Sequence, residues 1–166
     1  MHIREASAED SALISSIIAQ SWRGHYQGLI DPVYLSRLPD TYWLPSVRGW
    51  LAGGRMYGCI AETDGKAVGS VIYGRGRDEP YADWGEIVSL YLLPAYVGQG
   101  IGHALLNSAL AGLREDGYNR FYLWAIDGAQ TAQRFYTHHG FAPAADRITY
   151  RIGAQNVTDI RYILEE

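Results

Sequence analysis

A mixed α/β fold, with a mostly antiparallel central sheet and helices on both faces, is predicted by three observations on the chain. The apolar residues change period at Met56, from the three-to-four spacing of helices to short runs of strand length. Asp64-Gly65 joins two such runs, a hairpin signal. A nearly continuous apolar strand, Ile87 to Leu93, then leads into a long helical pattern and a further strand. Such a crossover requires a parallel neighbour where a hairpin requires an antiparallel one, so the sheet must be mixed.

Each element has its own local reason. His2 to Glu5 read as a short strand, and Ser7-Ala8-Glu9-Asp10 resembles a capping box, so a helix starts there. Leu13, Ile14, Ile17, Ile18 and Ser21 form one apolar stripe, extended by Trp22 and Tyr26. Asp31-Pro32 opens a second short helix, the aspartate as cap and the proline at the first helical position, with Tyr34, Leu35 and Leu38 facing inward. A third helical piece between Pro39 and Gly54 carries Trp43, Leu44, Val47, Trp50 and Leu51. Met56 to Ala61 and Ala67 to Tyr73 are the hairpin strands, and Ile87 to Leu93 reads as a strand covered on both faces, ended by Pro94. Gly100 to Asp116 is a helix with Ile101, Leu105, Ala109 and Leu113 on one face, closed by Gly117. Phe121 to Ile126 is a strand, Ala129 to His139 a helix capped by Gly140, and Phe141 to Arg151 and Asn156 to Leu164 are two last strands about Gly153.

Composition bounds the rest. A chain of 166 residues, 48% hydrophobic and 19% charged, suits one domain spanning residues 1–166. Such a chain hides roughly 70% of its unfolded surface. Net charge is -4 and the closest cationic pair, Arg75 and Arg77, is offset by Asp78 and Glu79, so a nucleic-acid partner is not expected. The lone Cys59 excludes an internal disulfide and reads as a buried, inert thiol. His2, His25, His103, His138 and His139 lack metal-ligand spacing, so no metal is expected. There is no apolar signal core at Met1-His2-Ile3-Arg4-Glu5 and no apolar stretch near the ~20 residues of a membrane span, which makes the cytoplasm the expected compartment and a membrane partner unexpected.

The most informative segment is Val97-Gly98-Gln99-Gly100-Ile101-Gly102, between the buried strand and the long helix. Glycines at alternate positions let successive N–H groups point to one spot, and the helix that follows adds its positive N-terminal end. The product is a diphosphate cradle; the alternative is a tight turn rich in glycine for packing alone. A nucleoside-triphosphate loop would end in Gly-Lys-Ser/Thr, but His103-Ala104 follows here. A dinucleotide fold needs G-x-G-x-x-G after its first strand, whereas these glycines come late in the chain at every second position.

These residues resemble the GCN5-related N-acetyltransferase superfamily, whose pattern Arg/Gln-x-x-Gly-x-Gly/Ala is matched by Val97 to Gly102, with Pro94 and Tyr96 in familiar upstream positions. Valine departs from the polar first residue, while the backbone donors survive the change. Ala132-Gln133-Arg134-Phe135-Tyr136 followed by Gly140-Phe141 looks like the family's second signature, Asn-x-x-Ala-x-x-Phe-Tyr with a Gly-Phe beyond the helix. The usual asparagine is Ala129 here, and Gln130 is the neighbour placed to supply its hydrogen bond to the cofactor. Ser21-Trp22-Arg23-Gly24-His25-Tyr26 through Gly28-Leu29 resembles a common bacterial branch, so the resemblance covers essentially the whole chain.

The resemblance implies the acyl-CoA N-acyltransferase fold and transfer of an acetyl group from acetyl-CoA to a small-molecule or peptide amine, by direct attack in a ternary complex. It implies cofactor contacts from Leu90, Tyr91 and Leu92, which would pair with the pantetheine amides, and from Val97, Gly98, Gln99, Gly100, Ile101, Gly102 and Gln130. An amine with a pKa of about 10.4 is protonated at neutral pH and needs a base. Glu86 is the candidate, since it opens the buried strand and resembles the family's frequent carboxylate there; Val88 and Leu90 would share its face by alternation, and an exposed strand-end glutamate is the alternative reading. Tyr136 is the candidate acid for the leaving thiolate. Trp22, Tyr26, Tyr34 and Trp43 form the expected acceptor wall or, taken singly, fill the core. A non-catalytic acyl-CoA sensor is the competing function, suggested by Val97 and Ala129 and opposed by the retention of Glu86 and Tyr136. The tail strand Asn156 to Leu164 is expected to be exposed and able to pair with a second subunit in a homodimer.

Overall fold

The computed structural model describes residues 1–166. Its seven-stranded sheet runs in the order β1-β2-β3-β4-β5-β7-β6, for β1 His2–Glu5, β2 Met56–Thr63, β3 Lys66–Arg75, β4 Gly85–Leu92, β5 Arg120–Ile126, β6 Ala142–Ile152 and β7 Gln155–Glu165. Every neighbouring pair is antiparallel except β4 and β5, which a helical crossover joins. The β2–β3 turn is the two-residue Asp64-Gly65 type, with φ of 51° and 74°; that left-handed pair matches the twist of the strands it joins.

Five helices cover the sheet: α1 Ser11–His25, α2 Pro32–Arg37, α3 Leu44–Ala52, α4 Ile101–Glu115 and α5 Gln130–His138. The Asp10 carboxylate accepts the Ser7 N–H at 2.9 Å, and a single 3₁₀ turn, Ala8–Asp10, leads into α1. Asp31 caps α2, its carboxylate accepting the Val33 N–H at 2.9 Å. Two apolar layers result. On one face Leu105, Leu106, Ala109 and Leu113 of α4 pack on Val71, Ile87, Phe121 and Leu123. On the other, Ile14 and Ile18 of α1 and Val47 of α3 pack on Ile60 and Ile72. Each such buried side chain contributes about 1.5–3 kcal/mol, so both helical layers are held mainly by these contacts. No helix is long and apolar enough to cross a membrane.

Three expectations are corrected. Leu13 does not belong to the α1 stripe; it is 39% exposed while Ile14, Ile17, Ile18 and Ser21 are buried, because the buried arc is narrower than the apolar residues that border it. In β4 a bulge at Val88 breaks the alternation: Ile72 pairs with Ser89 and Tyr73 with Ile87, leaving Val88 as the extra residue. Leu90 therefore does not share the face of Glu86; it packs against the α4 layer and Val88 against the α1 layer. The tail strand β7 is not an exposed edge either, since it lies between β5 and β6. The edge belongs to β6, which carries Pro143 and a register shift between Pro143 and Arg147, both of which blunt pairing with another chain.

One close approach fixes α1 beside the turn after β4. A Cβ placed on Gly24 would lie 2.3 Å from Cγ of Pro94, whose ring cannot swing aside. Gly24→Ala is expected to cost about 1–3 kcal/mol by overpacking. Thermal melting reads it, and a midpoint equal to that of the wild type would show that α1 can shift without penalty.

Candidate active site

β4 and β5 pair only at Gly85–Phe121, Glu86–Tyr122 and Ile87–Leu123. Beyond Ile87 the strands part, so the backbone of β4 from Ser89 onward is paired on its β3 side and open on the other. A cavity of about 780 Å³ fills the gap. Leu90, Tyr91, Leu92, Val97, Gly98, Gly100, Gly102, Gln130 and Tyr136 all line it. Gln99 and Ile101 do not: Gln99 Nε2 donates to the Ala95 carbonyl at 3.1 Å, and the Ile101 side chain is buried in the α4 layer. The side chains of those two positions are engaged away from the cavity.

The turn into α4 has the geometry its glycines permit. Gly98 and Gly100 hold φ of 81° and 82°, a region that side-chain-bearing residues avoid. None of the N–H groups from Gly98 to His103 is taken by a backbone carbonyl; the first bond back into the turn is Ala104 N to Gly100 O at 3.1 Å. Free donors and the positive end of a fifteen-residue helix thus meet at one wall of the cavity, which is an anion site. Gly102 serves packing: a Cβ there would sit 3.2 Å from Leu92 and 3.4 Å from Phe135.

Tyr136 projects from α5 into the same cavity. Its ring is buried against Phe135 and Phe141, and its hydroxyl hydrogen-bonds to no protein group. Burial, and secondarily the nearby Tyr91 phenol, push its pKa well above the usual tyrosine value, so the group stays protonated at neutral pH.

Glu86 lies outside this cavity, at the wall of a smaller neighbouring one, and is fully buried, with 1% of its surface exposed. Oε1 accepts from Arg77 Nη2 at 2.8 Å. Oε2 accepts from Arg77 N, Arg77 Nε and Tyr122 Oη, each at 3.0 Å. Both oxygens are thus saturated by charge-assisted or buried donors, which ties the segment after β3 to β4 and β5. A second tie lies alongside, where Arg161 stacks 3.8 Å from the Tyr81 ring centroid and 4.3 Å from that of Trp124 while reaching Asp78 at 3.3 Å and Asp146 at 3.2 Å.

A smaller cavity of about 220 Å³ adjoins the first, and both are lined by Tyr26, Val88, Tyr91, Trp124 and Ile126. Of the expected acceptor wall, Trp22 and Tyr26 line the smaller cavity. Tyr34 and Trp43 do not; Trp43 packs 4.7 Å from the Trp22 ring, and Tyr34 of α2 packs against the cluster that holds Leu35 and Ile152.

The acetyltransferase (GNAT) family profile matches residues 18–141, from within α1 to the start of β6, a stretch holding the glycine turn, the strand gap and α5. The chain belongs to the acetyltransferase (GNAT) family. An uncharacterized N-acetyltransferase of Mycobacterium tuberculosis is 37% identical over 105 residues, 63% of this chain and 64% of that protein, so the match spans just under two thirds of the relative's length. An uncharacterized N-acetyltransferase of Archaeoglobus fulgidus is 30% identical over 145 residues, 82% of this chain and 89% of its own. The fold matches the PaiA N-acetyltransferase of Thermoplasma acidophilum, solved in complex with coenzyme A, with a TM-score of 0.76, 20% identity and complete coverage of both chains.

Within this GNAT chain the residues that sequence reasoning missed are Arg77, Trp124, Tyr150 and Asp159, all lining the smaller cavity. One signal was available for two of them. Tyr122, Trp124 and Ile126 alternate along β5 while Asp159 and Arg161 alternate along β7, and charged residues at alternate positions of an interior strand mark a polar site under cover.

Proposed function

We propose that the protein transfers an acetyl group from acetyl-CoA to a primary amine by direct attack in a ternary complex. The observation that carries the reading is the coincidence, in one cavity, of an unpaired strand edge with a row of free N–H donors at a helix N-terminus. An extended amide chain suits the first and a diphosphate the second, and the pantetheine arm and diphosphate of coenzyme A are joined in that order. The named relatives and the coenzyme A complex of the structural neighbour support the same assignment.

Residue roles follow from placement. The open edge of Leu90, Tyr91 and Leu92 holds the pantetheine amides, and backbone donors from Gly98 to His103 hold the diphosphate. Gln130, at the start of α5, faces the arm. Tyr136 meets the sulfur. Because a thiol with a pKa of about 8.5 is a stronger acid than this buried phenol, Tyr136 stabilises the developing thiolate as a hydrogen-bond donor, and the proton that finally rests on sulfur comes from the amine. Glu86, its oxygens saturated, holds the site's wall together.

Titration of the purified protein with acetyl-CoA by calorimetry, followed by thiol release across a panel of amines, tests the reading. Binding with turnover is expected; binding without turnover on any amine would favour an acyl-CoA sensor, and absence of binding would overturn the proposal. Gly100→Ala adds a local check. A Cβ at φ +82° meets no neighbour, so its cost is backbone strain of about 1–2 kcal/mol, relieved by turning N–H groups away from the diphosphate. Acetyl-CoA affinity is expected to fall about tenfold, and unchanged affinity would show that this turn does not bind phosphate.

A further inference from the structure

The smaller cavity has a charge balance that points to its occupant. Arg77 is matched by Glu86, and Arg161 by Asp78 and Asp146. Asp159, half-buried on β7, has no cation; its only side-chain partner is the Tyr150 hydroxyl, which donates across its two oxygens at 3.1 and 3.2 Å. Rings of Trp22, Tyr26, Tyr91, Trp124 and Tyr150 surround it. Glu86 lines the same cavity, but its charge is taken by Arg77, so Asp159 is the one carboxylate there without a cation, and an unpaired carboxylate among aromatic faces is a receptor for one positive charge on an apolar body. The cavity, at about 220 Å³, is also smaller than the ~300–1,000 Å³ that drug-sized ligands occupy.

Resting on the acetyltransferase reading, we propose that Asp159, and not Glu86, receives the acceptor's ammonium and takes its first proton, and that the acceptor is a small monoamine with an aromatic or branched apolar body. A polyamine would bring a second charge to a wall whose other carboxylate, Glu86, is already held by Arg77, and the residues flanking a protein lysine would have to stay outside the cavity. The site adjoins the cofactor's, because the two cavities share Tyr26, Tyr91 and Trp124 as walls at the point where β4 and β5 part.

The step balances as follows. The ammonium gives one proton to an Asp159 oxygen, and the freed nitrogen pair forms the C–N bond as the carbonyl π pair moves onto oxygen. Collapse restores the carbonyl and breaks the C–S bond. The nitrogen's second proton passes to the thiolate, and the proton on Asp159 leaves to solvent, so ammonium and thioester yield amide, thiol and one proton. Burial raises the pKa of Asp159 against the opposing Tyr150 hydrogen bond, which makes it a stronger base than an exposed aspartate. The groups lining the cavity with it are the Arg77–Glu86 ion pair and the phenols of Tyr26 at the end of α1, Tyr91 from β4 and Tyr150 from β6, with Tyr34 of α2 near Tyr150, while β5 contributes only Trp124 and Ile126. Burial pushes all four phenols up, Tyr34 to about 12, so none of them titrates near neutral pH.

Phenethylamine, a lysine-containing tetrapeptide and spermine are compared as acceptors for the wild type, Asp159→Asn and Glu86→Gln, at pH of about 7 and about 9.5, with acetyl-CoA affinity measured separately on each protein. Phenethylamine is expected to be the best substrate. Asp159→Asn keeps acetyl-CoA affinity and loses about a hundredfold in kcat/KM at neutral pH. The loss shrinks as pH approaches the amine's own pKa, a recovery that a merely structural defect would not show. Any loss in Glu86→Gln is the same at both pH values. Preference for the peptide or spermine overturns the acceptor class, and a wild-type rate in Asp159→Asn, or a pH-recoverable loss in Glu86→Gln, overturns the assignment of the base. If the wild type fails to bind acetyl-CoA at all, the acetyltransferase reading itself has failed, and this inference with it.

Discussion

Tyr136→Phe is expected to lower kcat by about a hundredfold while acetyl-CoA affinity stays within about twofold of the wild type. The hydroxyl has no protein partner, so removing it strands no buried donor or acceptor and the melting temperature should hold. In the proposed reaction its one task arises as charge develops on sulfur, and an interaction made only in the transition state appears in kcat and not in ground-state binding. The low end of the range for acid–base groups applies, because a thiolate is already a competent leaving group and the phenol stabilises it by hydrogen bonding without full proton transfer. Steady-state thiol release with saturating acetyl-CoA measures it. A variant with unchanged kcat would remove Tyr136 from the reaction and leave it a core aromatic packed between Phe135 and Phe141.

What was legible in the sequence was local. Asp64-Gly65 is a two-residue turn because only that backbone pair accepts positive φ cheaply, and no distant contact is needed to know it. Asp31-Pro32 caps α2 for similarly local reasons, and the alternate glycines before α4 leave donors free wherever that helix is placed. The wall of the larger cavity was thus readable from the chain, down to most of its side chains. What escaped depends on partners far apart in sequence. The bulge at Val88 is a property of β4 against β3, and it turns Leu90 to the opposite layer from the one alternation assigns. The interior position of β7 is set by β6 returning along the outside, which no hairpin signal distinguishes from the reverse order. The pairing of Arg77 with Glu86, and of Arg161 with Asp78 across 83 residues, follows only once the sheet has been assembled. The smaller cavity's polar chemistry was therefore hidden in the pairings, whereas the wall of the larger cavity sits on continuous segments.

Arg77→Met is expected to lower the melting temperature by about 6–12 °C, the largest stability effect at any single position of the site. Glu86 has 2% of its side chain exposed and relies on four donors, of which the guanidinium supplies two. Methionine fills the volume but leaves a buried carboxylate with only the Arg77 N–H and the Tyr122 hydroxyl to offset its charge. Stranding one partner of a buried ion pair costs about 3–5 kcal/mol, and the lower end applies because 43% of the Arg77 side chain reaches solvent and water can enter where it stood. At about 2–4 °C per kcal/mol for a chain of this size, a loss near 3 kcal/mol gives the stated shift. The double variant Arg77→Met, Glu86→Gln separates charge from packing. Its neutral amide oxygen can still accept from Tyr122 and the backbone, so it should melt several degrees above the single variant although it carries one more substitution. If both variants melt together, the cost lies in the lost stacking of the Arg77 guanidinium over Trp50 and not in the stranded charge. If neither differs from the wild type, the segment after β3 is held by the Arg161 cluster alone, and Glu86 has a carboxylate free for other work.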